Sequence, residues 1–288
     1  MKNKLLLLSI LVMLLVVACT RNAITGRNTL SLVPESQMEE MAVSQYKQFL
    51  SENKVVSSSQ SKDAEMVKRV GGRIASAVAN FYKGKGVAPE IQDYKWEYNL
   101  VQSKEANAWC MPGGKIVVYS GLLPITQNEA ALAVVVGHEV AHAVAKHGSE
   151  RMSQGLVQQL GGVALQVALS SKASETQNLF MQAYGLGSNV FGILPHSRQQ
   201  EYEADKLGLT YAALAGYNPR EAVPLWERMQ AQSNGQKPPE FLSTHPAEGN
   251  RIAKLQQEMP NALKYYRPMG SKYYSCYIIK SHTMLTLY

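Results

Sequence analysis

Residues 126–148 read T-Q-N-E-A-A-L-A-V-V-V-G-H-E-V-A-H-A-V-A-K-H-G, and this stretch decides the fold. It opens on Thr126-x-x-Glu129, the spacing of a capping box, in which a threonine oxygen and a glutamate satisfy free N–H groups at a helix start. The apolar run that follows predicts a long helix carrying His138, Glu139 and His142. Histidines four apart lie on one helix face a turn apart, so both imidazoles can reach one zinc ion at about 2.0 Å. Glu139 lies about 100° round the helix. From there it can address a water at the metal without ligating the metal, which is the position of a general base.

A catalytic zinc needs a third protein ligand and one open position. The metzincin arrangement is excluded, because the glycine and histidine it requires are replaced by Ala145 and Gly148. On a continued helix His147 is turned about 140° from His142, which makes it a satisfied or solvent-facing histidine. Glu201 and Asp205 fit better. Four apart on a later helix, they allow one carboxylate to ligate zinc while the other accepts the free ring N–H of a ligand histidine and fixes its tautomer. Glu203 is rotated about 200° from Glu201 and is expected to face away. On spacing alone, the Glu201/Asp205 pair reads equally well as the polar face of an amphipathic helix.

On the N-terminal side of the histidine helix, Tyr94 to Tyr119 has the texture of strands. Trp96, Tyr98 and Leu100 alternate with polar positions, and Ile116-Val117-Val118-Tyr119 follows a Pro112-Gly113-Gly114 turn, which predicts a small antiparallel sheet. Two helical patterns precede it, through Met38, Met41, Tyr46 and Phe49 and through Met66, Val67, Val70, Ile74 and Val78. A Ser-, Lys- and Gln-rich linker over 51–63 separates them, and Gly84 to Pro89 ends the second. On the C-terminal side, residues 152–194 are rich in Gly, Ala, Gln and Ser. They read as helical, but Gln158, Gln159 and Gln166 exclude a membrane span, so a lid or membrane-facing flap is expected. The Glu201 helix starts after Pro195 and stops at Gly216, and another begins near Pro219. The fold class is α+β, mainly helical, with the small sheet beside the zinc helices.

With 288 residues and 45% hydrophobic content, the chain can bury one principal core. The net charge of +7 is scattered, with no basic stripe interleaved with aromatics, so no nucleic-acid partner is expected. Lys2 and Lys4 precede an apolar run from Leu5 to Val17 that is too short to span a bilayer comfortably and reads as a secretory leader. Val16-Val17-Ala18-Cys19 resembles a lipobox, with cleavage before Cys19, lipid attached to it, and membrane attachment through that lipid. The chain then divides into a signal peptide (1–18), a tether with a first helix (19–60), a metallopeptidase domain (61–270) and a tail (271–288). Neither Cys110 nor Cys276 sits in C-x-x-C, so the metal must use histidine and carboxylate.

Four motifs together resemble a known family, the zinc endopeptidases of the HtpX and Ste type. They are Asn107-Ala108-Trp109-Cys110-Met111-Pro112-Gly113-Gly114 with Gly121-Leu122-Leu123, the H-E-x-x-H element, Ser197-Arg198-x-x-Glu201-x-x-Ala204-Asp205, and Ser243-Thr244-His245-Pro246 with Arg251-Ile252. The chain is most similar to LoiP- and BepA-like bacterial lipoprotein members, without a helical repeat domain. The resemblance implies a gluzincin holding one zinc ion through His138, His142 and Glu201, with Glu139 as catalytic base and Asp205 behind a ligand histidine. It implies an edge strand over Asn107, Ala108, Trp109 and Cys110 that binds polypeptide substrates in extended form. It places His245 near the metal, either stabilising an oxyanion or acting as a blocking fourth ligand, and His196 near the cleft without assigned chemistry. The substrates implied are misfolded or unassembled envelope proteins, with outer-membrane assembly factors or proteases as partners, at the periplasmic face of the outer membrane. The competing reading is a lipoprotein chaperone or scaffold with non-catalytic zinc. It is opposed by the intact Glu139 and by only three evident protein ligands.

Overall fold

The structure is a computed structural model that describes residues 19–160, 173–184, 186, 197–232, 240–245 and 249–269. The leader, the tail from 271 and His196 lie outside the described residues, as does much of the stretch expected to form a lid. No described helix is long and apolar enough to cross a membrane.

The described residues begin with a hairpin of β1 (Cys19–Arg21) and β2 (Asn28–Leu30). Its turn is nucleated by the Asn22 side chain, which accepts the amides of Ile24 and Thr25 at 2.9 and 3.0 Å. Helix α1 (Glu35–Glu52) follows, and β3 (Val55–Val56) then forms inside the expected linker. Helix α2 (Lys62–Lys85) starts on a Ser61 cap and ends at Gly86, whose φ of +63° is the left-handed C-cap that glycine favours. Next come β4 (Glu97–Val101), β5 (Ala108–Met111), β6 (Lys115–Tyr119) and the short α3 (Leu123–Thr126). The histidines lie on α4 (Glu129–Val144), followed by α5 (His147–Leu160), α6 (Ala173–Ala183) and α7 (Arg198–Leu214). Helices α8 (Ala222–Ala231), α9 (Glu240–Thr244) and α10 (Arg251–Leu263) complete the described chain.

The four-stranded sheet runs β3-β4-β6-β5. The turn at Pro112-Gly113-Gly114 makes β5 and β6 an antiparallel hairpin, as expected, but this hairpin inserts β6 beside β4 in parallel register, Leu100 opposite Val118. The sheet is therefore mixed, not wholly antiparallel. Both faces are covered. Leu100, Ala108, Cys110, Ile116 and Val118 enter a core shared with α2, α4 and α7, while Val101, Trp109, Met111, Val117 and Tyr119 enter a second core with α1, α5 and α6. Burial on both faces is why Ile116 to Tyr119 is a continuous apolar run.

The expected capping box is corrected by two residues. Thr126 belongs to α3, where its hydroxyl donates to Leu123 O at 3.1 Å, and Asn128 is the residue that caps α4, accepting from Ala131 N at 2.8 Å. Gln127, at φ +64°, separates the two helices, so the second needs its own cap. Helix α4 is interrupted again at its other end: Lys146 takes φ +56°, and α5 departs in a new direction from His147.

Candidate metal centre

Helix α4 is buried from Ala131 to Val144, which fixes His138, Glu139 and His142 by packing on every side. Helix α7 crosses it at two glycines. A Cβ on Gly208 would lie 2.7 Å from the backbone N of His138, and one on Gly137 would lie 2.8 Å from Gly208 O. This close approach brings Glu201 and Asp205 of α7 to the two histidines.

Four ligand-bearing residues converge. His138 Nε2 and His142 Nε2 are 3.0 Å apart. Glu201 places Oε1 3.2 Å from His142 Nε2 and Oε2 3.5 Å from His138 Nε2. His245 places Nδ1 3.0 Å from Glu201 Oε1 and 3.3 Å from His138 Nε2. His245 follows the last residue of α9, and its ring stacks on Phe241 at 4.5 Å. Phe241 N in turn donates to Ala106 O at 3.0 Å, tying this segment to the loop before β5.

Asp205 stands behind His138, with Oδ1 3.0 Å from Nδ1. Arg251, at the start of α10, forks onto Asp205 at 2.7 and 2.6 Å, donates to His245 O at 3.3 Å, and comes within 3.3 Å of Glu201 Oε2. Its guanidinium lies 3.5 Å from the centre of the Trp226 ring. Behind His142, His147 places Nδ1 2.9 Å from His142 Nδ1, and its Nε2 is 3.0 Å from Glu203 Oε2. The expectation that His147 turns away fails because the helix does not continue through Lys146. Glu203 does face away from Glu201, towards His147 and Arg27.

The electrostatics follow from burial opposed by partners. Burial alone would raise Glu201, but nearby His245 and the hydrogen bonds from His138 and His142 hold its carboxyl well below the usual range. Asp205 is lowered because Arg251 and His138 outweigh its burial. Burial disfavours the His138 cation, yet Asp205 and Glu201 together push it up to about 9. His142 goes the other way, as burial outweighs Glu201. Glu139 is raised, principally by burial. Its Oε1 lies 3.4 Å from His245 Nε2, and among the described residues it accepts no hydrogen bond.

The donor set fits a metal ion. The donor atoms of His138, His142, Glu201 and His245 all lie within 4.8 Å of one another and are buried. When the ring is neutral, His138 Nδ1–H donates to Asp205 and Nε2 presents a lone pair to its neighbours, the form a metal ion would select. Once the imidazoles are neutral, lone pairs and a carboxylate crowded to 3.0–3.5 Å repel unless a shared proton or a metal ion lies between them. These separations match the edge of a tetrahedron with metal bonds of about 2.0–2.1 Å, an edge of roughly 3.3–3.4 Å. Imidazole and carboxylate donors suit zinc. Cys110 adds no sulfur ligand, being absent from this cluster.

Strand β5 stands at the end of the sheet, so Asn107 to Cys110 border the edge, as expected. Ala108 N donates to the Asn107 side chain at 2.8 Å, not to β6. Cys110 packs in the core shared with α4, and the Glu139 charge adds to burial in raising its thiol. Trp109 turns to the opposite core, edge-on to Phe49 at 5.0 Å.

An H-E-x-x-H helix crossed by a glutamate-bearing helix beside an edge strand defines a gluzincin-type metallopeptidase domain. The model of Peptidase family M48 matches residues 61–259, and the chain belongs to that family. It is 37% identical over 174 residues to the mitochondrial metalloendopeptidase OMA1 of Schizosaccharomyces pombe, covering 60% of this chain and 49% of that protein. Against the Homo sapiens metalloendopeptidase OMA1, mitochondrial, identity is 31% over 84% of this chain and 46% of that protein. The beta-barrel assembly-enhancing protease of Escherichia coli K12 is 29% identical over 60% of this chain and 36% of that protein. The chain thus spans about half the length, or less, of these relatives. Their names correct the expected place on the periplasmic face of a bacterial outer membrane: the relatives of higher identity are mitochondrial, and the bacterial one is more distant.

Proposed function

We propose that this chain is a zinc-dependent endopeptidase acting on unfolded or unassembled polypeptide. His138, His142 and Glu201 would hold the ion, which when bound lowers the pKa of a water towards about 7 and polarises a scissile carbonyl. Glu139 takes the proton of the attacking water and delivers it to the leaving amine. The observation that carries the reading is the Glu139 carboxylate, buried beside the four donors with Oε1 accepting no hydrogen bond among the described residues. A structural metal site gains nothing from such a group, whereas a general base requires it.

The substrate chain adds in extended form along β5, where the Ala108 amide donates to the neighbouring Asn107 side chain, which an incoming carbonyl can displace. Main-chain pairing of this kind suits unfolded polypeptide with loose sequence preference. For His245, the fourth-ligand role is the better supported, since its Nδ1 faces the donors while Nε2 faces Glu139. In this arrangement the enzyme is latent until His245 withdraws.

The test compares wild type with Glu139→Gln on casein, with bound zinc measured in both. Equal zinc with cleavage by wild type alone supports the proposal; equal cleavage by both, or none by either zinc-loaded protein even when His245→Ala is added to relieve latency, overturns it.

A further inference from the structure

The two histidines of α4 are backed differently. His138 meets a carboxylate–arginine pair directly, Asp205 with Arg251. His142 meets a second such pair through an inserted histidine: His147, then Glu203, then Arg27, whose Nε donates to Glu203 Oε1 at 2.9 Å. Arg27 comes from the N-terminal hairpin, more than a hundred residues away in sequence. Its other nitrogens grip Glu150 at 2.7 and 2.6 Å, and Glu150 also accepts from Gln200 at 2.7 Å. The same hairpin is fastened at Asn22, whose side-chain nitrogen donates to Ala145 O at 2.7 Å, three residues past His142.

We propose that Arg27 is a positioning residue for the metal centre, acting on His142 through Glu203 and His147. The inference rests on the reading that His142 ligates through Nε2. That nitrogen must then present a lone pair, so Nδ1 carries the proton and donates it to His147 Nδ1. His147 therefore carries its own proton on Nε2 and donates it to Glu203 Oε2. Arg27, donating to the other oxygen, keeps Glu203 charged and aimed. Every proton in the series has one consistent place. Without the Glu203 anchor, His147 can shift its proton to Nδ1. Two N–H groups would then face each other at 2.9 Å, and His142 would be driven to the tautomer that cannot ligate. Docking of the N-terminal hairpin is in this way part of the metal site, and loosening it weakens metal binding without touching a ligand.

The experiment uses the full chain and reads zinc affinity by competition with a chromophoric chelator, together with the visible spectrum of the cobalt(II)-loaded protein. Partners behind metal ligands are worth roughly 10–100-fold in affinity. Arg27→Ala is expected to weaken zinc binding roughly tenfold, and His147→Phe at least as much. The double variant should bind within about twofold of His147→Phe alone, because Arg27 acts through His147. The cobalt spectrum should change in all three. Glu203→Gln cuts the same relay without freeing the hairpin from Glu150. It serves if Arg27→Ala does not fold, and is expected to weaken zinc with a smaller fall in the metal-free unfolding midpoint than Arg27→Ala, because Arg27 keeps Glu150. Wild type that binds one zinc while Arg27→Ala and Glu203→Gln match it would overturn the relay alone. Losses that multiply in the double variant would also overturn it, assigning Arg27 to the fold instead. Wild type that binds no zinc would overturn the metal reading and the relay with it.

Discussion

Asp205→Asn isolates what the carboxylate behind His138 does. Asparagine is nearly isosteric, and its oxygen can still accept from His138 Nδ1. Its amide, however, presents N–H to one arm of the Arg251 fork, where the wild type has hydrogen bonds at 2.7 and 2.6 Å. Arg251 is 4% exposed, so the broken pair leaves a buried charge. Breaking a buried ion pair costs about 3–5 kcal/mol. The contact of Arg251 with Glu201 at 3.3 Å remains, which places the cost near the lower end, about 3 kcal/mol. For a domain of this size that corresponds to a fall in metal-free melting temperature of roughly 6–12 °C. Zinc affinity should fall by roughly 10–100-fold, since the His138 ring loses its charged anchor. Calorimetry of the metal-free protein and chelator competition on the folded protein measure the two effects separately, and proteolysis at saturating zinc should recover much of its rate. Zinc affinity within twofold of wild type would refute the assignment of Asp205 as the anchor of His138.

Burial alone would raise the Glu150 carboxyl, but its hydrogen bonds from Arg27 and Gln200 outweigh this and lower it. A depressed carboxyl contributes stability that is present above its unfolded value, 4.5, and lost as pH falls through the folded value. The stability difference between wild type and Arg27→Ala should therefore be full at neutral pH and shrink below 4.5; urea denaturation across this range would show it, and a difference that persists in strong acid would count against it. Gly208→Ala places a methyl 2.7 Å from the His138 backbone nitrogen, so it should destabilise by about 1–3 kcal/mol and weaken zinc, whereas Gly72→Ala, with nothing within 4 Å, should do neither. His245→Ala should raise casein cleavage if the histidine holds the enzyme latent; a lower rate would return it to an oxyanion role, and an unchanged rate would rule out both.

The centre was legible where chemistry and helix period coincide. His138, Glu139 and His142 announce themselves by spacing on an apolar helix, and Glu201 and Asp205 by spacing on a second; the structure brings His138, His142 and Glu201 into one cluster and sets Asp205 behind His138. What escaped is what depends on departures from regular backbone. His147 was misplaced because Lys146 adopts a left-handed φ without being glycine, so nothing local signals the end of the helix. Thr126 and Asn128 are both good caps, and only the turn at Gln127 selects the second. The hairpin at Pro112 to Gly114 was legible from its turn residues, but its parallel neighbour β4 is a long-range choice that turn chemistry does not encode. Arg27 and Arg251 look like any surface arginine until tertiary contact places them on Glu203 and Asp205.

X-ray absorption at the zinc edge of the metal-loaded chain tests the central claim most directly. One zinc per chain should show a first shell of nitrogen and oxygen alone at about 2.0–2.2 Å, with imidazole outer-shell scattering, and Glu139→Gln should leave that shell unchanged. A sulfur scatterer at about 2.3 Å, or no zinc retained after dialysis, would contradict the assignment of His138, His142 and Glu201 as the metal site.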